Sequence, residues 1–220
     1  MQAVILAAGE GTRLRPLTLE TPKPLLKIGG KTIIDRILEA LPEDIDEIVM
    51  VVDYLEDKIK AYLGENFLGR KIIYAKQREK KGTYGALWSA REELRDKFLV
   101  INGDDLHSKE ELSRFISEER TFGIQKMRMP NYYAVIVNKE GYIEGFDKDK
   151  REEEKFVATG VYLLDREIFK HEGILVYGGE YGLPQTILSQ KDDLPIKAVV
   201  TQEWIPINSI NDIERAEKLC

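Results

Sequence analysis

The spacing of short, continuous apolar runs constrains this chain more than any other feature. "AVILA" (3–7), "EIVMVV" (47–52), "KIIYA" (71–75) and "FLVING" (98–103) recur with segments of another period between them. Runs of this length read as strands buried in a parallel sheet. In "TIIDRILEAL" (32–41) the residues Ile33, Ile34, Ile37, Leu38 and Leu41 keep helical spacing, and Thr32 with Asp35 forms a variant capping box. Leu55, Ile59, Tyr62 and Leu63 mark a second helical face. "YGALWSAREEL" (84–94) predicts a third helix, and "SKEELSRFISEE" (108–119) a fourth, with Ser108 and Glu111 placed for another capping box. Strand alternating with helix through residue 119 predicts right-handed crossovers and a mostly parallel α/β sheet covered on both faces.

The rhythm then changes. "YYAVIVNKEGYIEGF" (132–146) predicts a hairpin turning at Asn138–Gly141, followed by a strand in "KFVATGVYLL" (155–164). A helix near 182–190, strands in "IKAVV" and "WIPI", and a helix over Asp212–Leu219 complete the chain. The charge run "DKDKREEEK" (147–155) reads as a solvated loop. With 220 residues and no repeat or linker, one domain is expected. A net charge of -6 argues against a general nucleic-acid binder. No apolar run reaches the ~18 residues of a membrane span, and the start lacks the basic residues of a signal peptide. The single cysteine, Cys220, leaves no internal disulfide. Together these predict a cytoplasmic protein. His107 and His171 have no ligand-spaced partner and read as surface or packing residues, and Trp88 and Trp204 read as core.

The first strand runs into "LAAGEGTRLRPLTLETPKPL" (6–25). A glycine-rich turn leaving a strand exposes backbone N–H groups to phosphate oxygens. Two common phosphate motifs fail here. The pattern GxGxxG starts at Gly9 and Gly11 but meets Leu14 at its third glycine, and "GGKT" (29–32) has Leu25 where a Walker motif needs glycine. Arg13, Arg15 and Lys23 nevertheless gather within eleven positions, and Pro22 and Pro24 stiffen the backbone around Lys23. Such a mount suits an amine that must meet one particular oxygen.

The composite "LAAGEGTRLRPLT…TPKPLL" resembles the signature of the sugar-1-phosphate nucleotidylyltransferases. That resemblance implies a Rossmann-like nucleotidyltransferase fold with a small β-rich acceptor lobe. An NTP-binding half would span about 1–120, an acceptor part about 121–200, and a closing strand and helix 201–220. It implies a nucleotide bound by Leu6, Ala8, Gly9, Gly11, Thr12, Arg13 and Asp104, its phosphates held by the Gly9–Arg13 loop, with Arg13 and Lys23 as the catalytic cations. "QREKKGTYGAL" (77–87) is similar to the family's base-reading segment, which assigns Gln77, Gly82 and Thr83 to the nucleotide. A glutamine amide offers the paired donor and acceptor that a uracil or thymine edge needs. "NGDD" (102–105) resembles the family's metal-holding pair, with Asp104 as the Mg2+ ligand and Asp105 as its alternative.

In "EWIPINSINDI" (203–213) Pro206 stands where some relatives carry an aspartate. Aligning "INSINDI" puts Asn208 at the second metal position, and Asp212 reads as a helix-start residue. On the acceptor side the resemblance points to Asp147, Lys148, Thr159 and Glu180. Asp147 replaces a glutamate, Ala158 an asparagine and Ala134 a glycine of the family pattern. The implied partners are an NTP (UTP or dTTP) and a sugar 1-phosphate, with a homo-oligomer left open. A cytidylyltransferase acting on phosphocholine or inositol phosphate shares the first motif. A catalytically dead sensing or scaffolding relative would have lost Arg13, Lys23 or Asp104. Because the chain ends just after the expected closing helix, a single activity is expected.

Overall fold

The computed structural model describes residues 1–78, 81–130, 132–148 and 153–219. The first part runs β1 (Gln2–Leu6), β2 (Lys27–Ile28), β3 (Lys31–Thr32), α1 (Ile33–Glu39), β4 (Glu47–Val52) and α2 (Glu56–Leu63). It continues through β5 (Asn66–Phe67), β6 (Arg70–Lys76), α3 (Gly82–Ser89), β7 (Lys97–Asn102), β8 (Asp105–Leu106) and α4 (Lys109–Ile116). The second part contains β9 (Thr121–Met127), β10 (Ala134–Val137), β11 (Ile143–Asp147), β12 (Lys155–Asp165) and β13 (Ile174–Leu175). After these come β14 (Tyr181–Gly182), α5 (Leu183–Ser189), β15 (Lys197–Val200), β16 (Ile205–Pro206) and α6 (Ile210–Leu219).

Eight strands form the central sheet in the order β15-β9-β12-β7-β1-β4-β6-β5. β1 lies between β4 and β7 and runs parallel to both, and β6 continues parallel to β4. β12 joins β7 antiparallel, so β9, β12 and β15 of the second part extend the same sheet, while β10–β11 and β13–β14 form two-stranded sheets of their own. Chain order moves outward from β1 to β4 and β6, then returns to its other side as β7. That reversal is a topological switch point, where open α/β sheets bind ligands beyond the strand carboxyl ends.

Period-two alternation divides the core between the two faces. In β4, Ile48, Met50 and Val52 pack with Ile34 and Leu38 of α1, Ile59 of α2, Phe115 of α4 and Ala216 of α6. Val49 and Val51 face the other way, toward Tyr84 and Leu87 of α3 and Leu183 and Ile187 of α5. Every one of these strand residues is fully buried, which is why the strand lacks polar alternation. The expected α/β class and sheet are therefore present. No helix among the described residues is long and apolar enough to cross a membrane.

Three details differ from expectation. β9 was not foreseen: Gly123, Gln125 and Lys126 break its apolar pattern, and pairing on both sides, with β12 and β15, makes it a strand. The third helix covers Gly82–Ser89 instead of 84–94, because from Ala90 the chain closes tighter turns onto Leu87 and Trp88. Only half of the second capping box forms. Ser108 accepts from the Glu111 N–H (3.3 Å), but the Glu111 carboxylate accepts from the Gln202 and Glu203 N–H groups. Residues 149–152 of the charge run, and Cys220, lie outside the described residues.

Candidate active site

The carboxyl ends of β1, β4, β6 and β7 open into a cleft of about 840 Å³. Its floor is the switch point. Leu6 ends β1, and the chain then bends through Ala8, Gly9, Gly11, Thr12 and Arg13, all of which line the cleft. Gly11 has φ +64, and a Cβ there would press on Thr18 and on the Cβ of Lys23. Only glycine permits both the left-handed turn and this packing. The Gly11 carbonyl accepts from Thr18 Oγ1 (2.8 Å) and the Leu14 N–H (2.9 Å), which fixes the bend.

Lys23 sits in a single helical turn between Pro22 and Pro24, stitched by Leu25 N–H to the Pro22 carbonyl (2.8 Å). Its stem is buried, and its ammonium pairs with Asp104 Oδ2 in the cleft. The Lys23 side chain is 10% exposed and that of Asp104 30%. Asp104 thus remains open to the cleft. Its neighbour Asp105 does not: Oδ1 accepts from Trp204 Nε1 (2.7 Å) and Oδ2 from Asn102 Nδ2 (2.9 Å). Burial, and then the charge of Asp104, push the Asp105 carboxyl up to about 8 despite those two donors. Gly160 packs against this pair at φ +75, where a Cβ would overlap Asp105 Oδ2 and Asn102 Nδ2.

The far side of the cleft comes from the end of the chain. β16 pairs antiparallel with β8, Pro206 opposite Asp105, and Ile207 N–H donates to the Asp104 carbonyl (3.0 Å). This brings Asn208 beside Asp104. Asn208 Oδ1 accepts from Arg13 Nη2 (2.8 Å), its Nδ2 donates to the Tyr132 hydroxyl (3.1 Å), and its N–H donates to Asp212 Oδ2 (3.0 Å). Asp212 lies in the first turn of α6 and also accepts from Ser209 Oγ (2.9 Å). Burial and the nearby Asp105 and Asp104 raise the Tyr132 phenol to about 12, so it stays protonated at neutral pH.

Beside the turn, Gln77 follows β6; its N–H donates to the Val52 carbonyl (2.9 Å) and its Nε2 to the Gly82 carbonyl (3.1 Å). Gly82 and Thr83 open α3 and line the cleft. Thr83 Oγ1 accepts from Leu183 N–H (2.9 Å), and Tyr181 N–H donates to the Lys81 carbonyl (2.8 Å), which clasps this segment to the one carrying Glu180. Lys81 and Asp53 pair across the rim (2.8 Å).

The cleft therefore gathers every nucleotide, catalytic and metal candidate of the sequence, with Glu180 from the acceptor set. Asp147 and Lys148 lie on and after β11, away from the cleft lining, with the Lys148 ammonium 5.5 Å from the centre of the Tyr133 ring. Thr159 is wholly enclosed, and its carbonyl is hydrogen-bonded to His107 Nε2 (3.1 Å). His107 is buried and His171 exposed, as expected of packing and surface residues. Tyr132, Asn102 and the polar role of Trp204 were not foreseen. The sequence pattern puts Tyr132 at the start of a hairpin strand that begins only at Ala134, and a buried tryptophan is read as core unless its N–H partner is known.

The donors beside the cleft are a carboxylate and an amide oxygen, both hard, which suits Mg2+ or Mn2+ over a thiophilic ion. Among the described residues no group of three or more His, Cys, Asp or Glu could hold a metal. A cation here would take the remainder of its shell from phosphates and water.

Comparison with known proteins agrees with this geometry. The chain is 34% identical over 172 residues to the bifunctional protein GlmU of Methanocaldococcus jannaschii, covering 77% of this chain and 41% of that protein. It is 30% identical over 223 residues to the bifunctional IPC transferase and DIPP synthase of Archaeoglobus fulgidus, covering 99% and 43%. The chain thus spans about two fifths of the length of these curated relatives. The solved inositol-1-phosphate CTP transferase from T. maritima shares the fold, with a TM-score of 0.82 at 20% identity over 99% of this chain and 95% of that one. The family model described as nucleotidyl transferase matches residues 2–176, from the first strand through the glycine turn, the Gln77 segment and Asp104. By that match, the chain belongs to the nucleotidyl transferase family.

Proposed function

We propose that this chain transfers a nucleotidyl group from UTP or dTTP to a sugar 1-phosphate, releasing pyrophosphate in a Mg2+-dependent reaction. The observation that carries the reading is the Lys23–Asp104 pair, set beside the glycine turn at the switch point of the sheet. An oxygen of the acceptor phosphate forms a bond to the α-phosphorus, and the bond from that phosphorus to the β-phosphate bridging oxygen breaks in line. The attacking oxygen is already anionic, so no strong general base is required. Catalysis then rests on positioning and charge neutralisation.

The turn from Ala8 to Thr12 directs backbone N–H groups at the triphosphate. Lys23 exchanges Asp104 for a phosphate oxygen and neutralises charge at the α-phosphate, while Arg13 steadies the leaving pyrophosphate. A cation ~4 Å from such an oxygen is worth roughly 4 kcal/mol at an effective dielectric of 20. Asp104 and Asn208 would hold Mg2+, and Asp105, with both oxygens engaged by Trp204 and Asn102, is the weaker candidate. When bound, the ion would offset phosphate charge as the transfer proceeds. Gln77 reads the base edge and Glu180 faces the acceptor.

A second reading has one specific observation behind it. The Archaeoglobus fulgidus relative aligns over 99% of the chain, against 77% for GlmU, and Ala158 and Ala134 depart from the sugar-contacting pattern. Together with the fold shared with the inositol-1-phosphate CTP transferase from T. maritima, that favours CTP and a non-sugar phosphate such as inositol phosphate. A pyrophosphate-release screen crossing the common NTPs with sugar 1-phosphates, inositol phosphate and phosphocholine decides between them. Release with UTP or dTTP and a sugar 1-phosphate is expected. Release only with CTP and inositol phosphate or phosphocholine overturns the first reading.

A further inference from the structure

An amide ligand poses a problem that a carboxylate does not. A carboxylate presents oxygen from either end, whereas an asparagine turned by half a rotation presents an NH2 group, which repels a cation. Something must therefore set the orientation of Asn208. Arg13 contributes, since a guanidinium only donates and so selects Oδ1. But Arg13 is exposed, and the proposed reaction draws it toward phosphate. The amide needs a second restraint that stays in place.

Resting on the reading above, we infer that Tyr132 is the positioning residue that turns the Asn208 amide oxygen toward the cation. Its hydroxyl accepts from Asn208 Nδ2 (3.1 Å), which occupies the NH2 end and leaves the oxygen for the cleft. The tyrosine is itself held. Its ring meets Trp204 edge-on, with centroids 6.3 Å apart and planes at 67°, and the indole N–H is anchored on Asp105 (2.7 Å). Asn208 is fixed from its backbone as well, by Asp212. Asp105, Trp204, Tyr132 and Asn208 form one connected chain, starting beside Asp104 and returning to it. An aspartate at 208 has no NH2 end to turn away: Tyr132 could only donate its O–H to one carboxylate oxygen, and the other oxygen would still face the cation.

The test measures Mn2+ binding, by water-proton relaxation, to the full chain with a methylene-bridged analogue of whichever NTP supports pyrophosphate release. Wild type, Tyr132→Phe, Asn208→Asp and the double variant are compared, and thermal melts check that each is folded. Tyr132→Phe is expected to weaken Mn2+ binding on the order of tenfold, the scale of an outer partner of a metal ligand. In the Asn208→Asp background the same change is expected to have a clearly smaller effect, since either carboxylate oxygen can face the cation. Equal Mn2+ affinity of wild type and Tyr132→Phe overturns the inference, and so does equal weakening in both backgrounds. A wild type that binds no Mn2+ with the nucleotide overturns the underlying reading of Asp104 and Asn208 together with the inference. The two failures therefore differ in the wild-type titration.

Discussion

Lys23 and Asp104 are paired in the cleft across 81 positions of sequence, one from a proline-flanked turn and the other from the end of a central strand. Each holds the other's charge in a site from which water is partly excluded. Under the proposed function a nucleotide phosphate would compete with Asp104 for the ammonium and free the carboxylate, making the pair a device for exchanging partners.

Lys23→Ala is expected to lower kcat by about 10²–10³, the loss seen when one fixed donor to developing charge is removed. The side chain's partner is partly exposed, so its charge can be solvated and the melting temperature should change little. Steady-state pyrophosphate release and a thermal melt check both halves. Turnover near that of wild type would take Lys23 out of the mechanism.

Gln77→Ala is expected to blur base choice. Two amide contacts at about 1 kcal/mol each amount to roughly 30-fold in the ratio of kcat/KM between the preferred NTP and its nearest competitor. An unchanged ratio would mean that the base is read elsewhere.

Gly160→Ala is expected to destabilise by about 1–3 kcal/mol, because alanine is strained at φ +75 and its methyl would displace Asn102 or Asp105. For a chain of this size that is roughly 2–12 °C in Tm. A melt unchanged from wild type would show that β12 relaxes around the methyl freely.

Glu111 supplies a pH-dependent prediction. Burial alone would raise its pKa, but the neighbouring His107 ring (Nδ1 3.9 Å from Oε2) and the hydrogen bonds from the N–H groups of Gln202 and Glu203 hold it below the ordinary 4.5. A lowered carboxyl pKa adds stability above the unfolded value, and that stability is lost as pH falls through the folded value. Glu111→Ala should therefore cost about 1–3 kcal/mol at neutral pH. The gap from wild type should shrink on acidification below about 4.5. Urea titrations at several pH values measure it, and a gap that stays constant would discard the charge argument.

Much of the architecture was readable because β1, β4 and β7 are apolar on both faces and α1, α2 and α4 keep a 3.6 period. The capping box at Thr32 and Asp35 forms as its residues suggest, with reciprocal bonds of 3.1 Å. β9 was hidden because its identity comes from neighbours on both sides, not from its own pattern. Glu111 was misassigned because a carboxylate three residues after a serine has two possible customers, the helix start or a distant backbone, and sequence spacing sees only the first. The same limit applies in the cleft. Lys23 and Asp104 stand in motifs of fixed spacing, whereas Tyr132 and Trp204 reach Asn208 and Asp105 only through the pairing of β8 with β16.

That two-residue pairing carries a consequence for synthesis. The glycine turn, Lys23 and Asp104 are all synthesised well before the strand that seats Asn208, which comes more than a hundred residues after Lys23. A nascent polypeptide can thus hold the nucleotide-facing elements long before it holds their closure. The order of synthesis leaves the cleft without its far side until β16 can pair with β8.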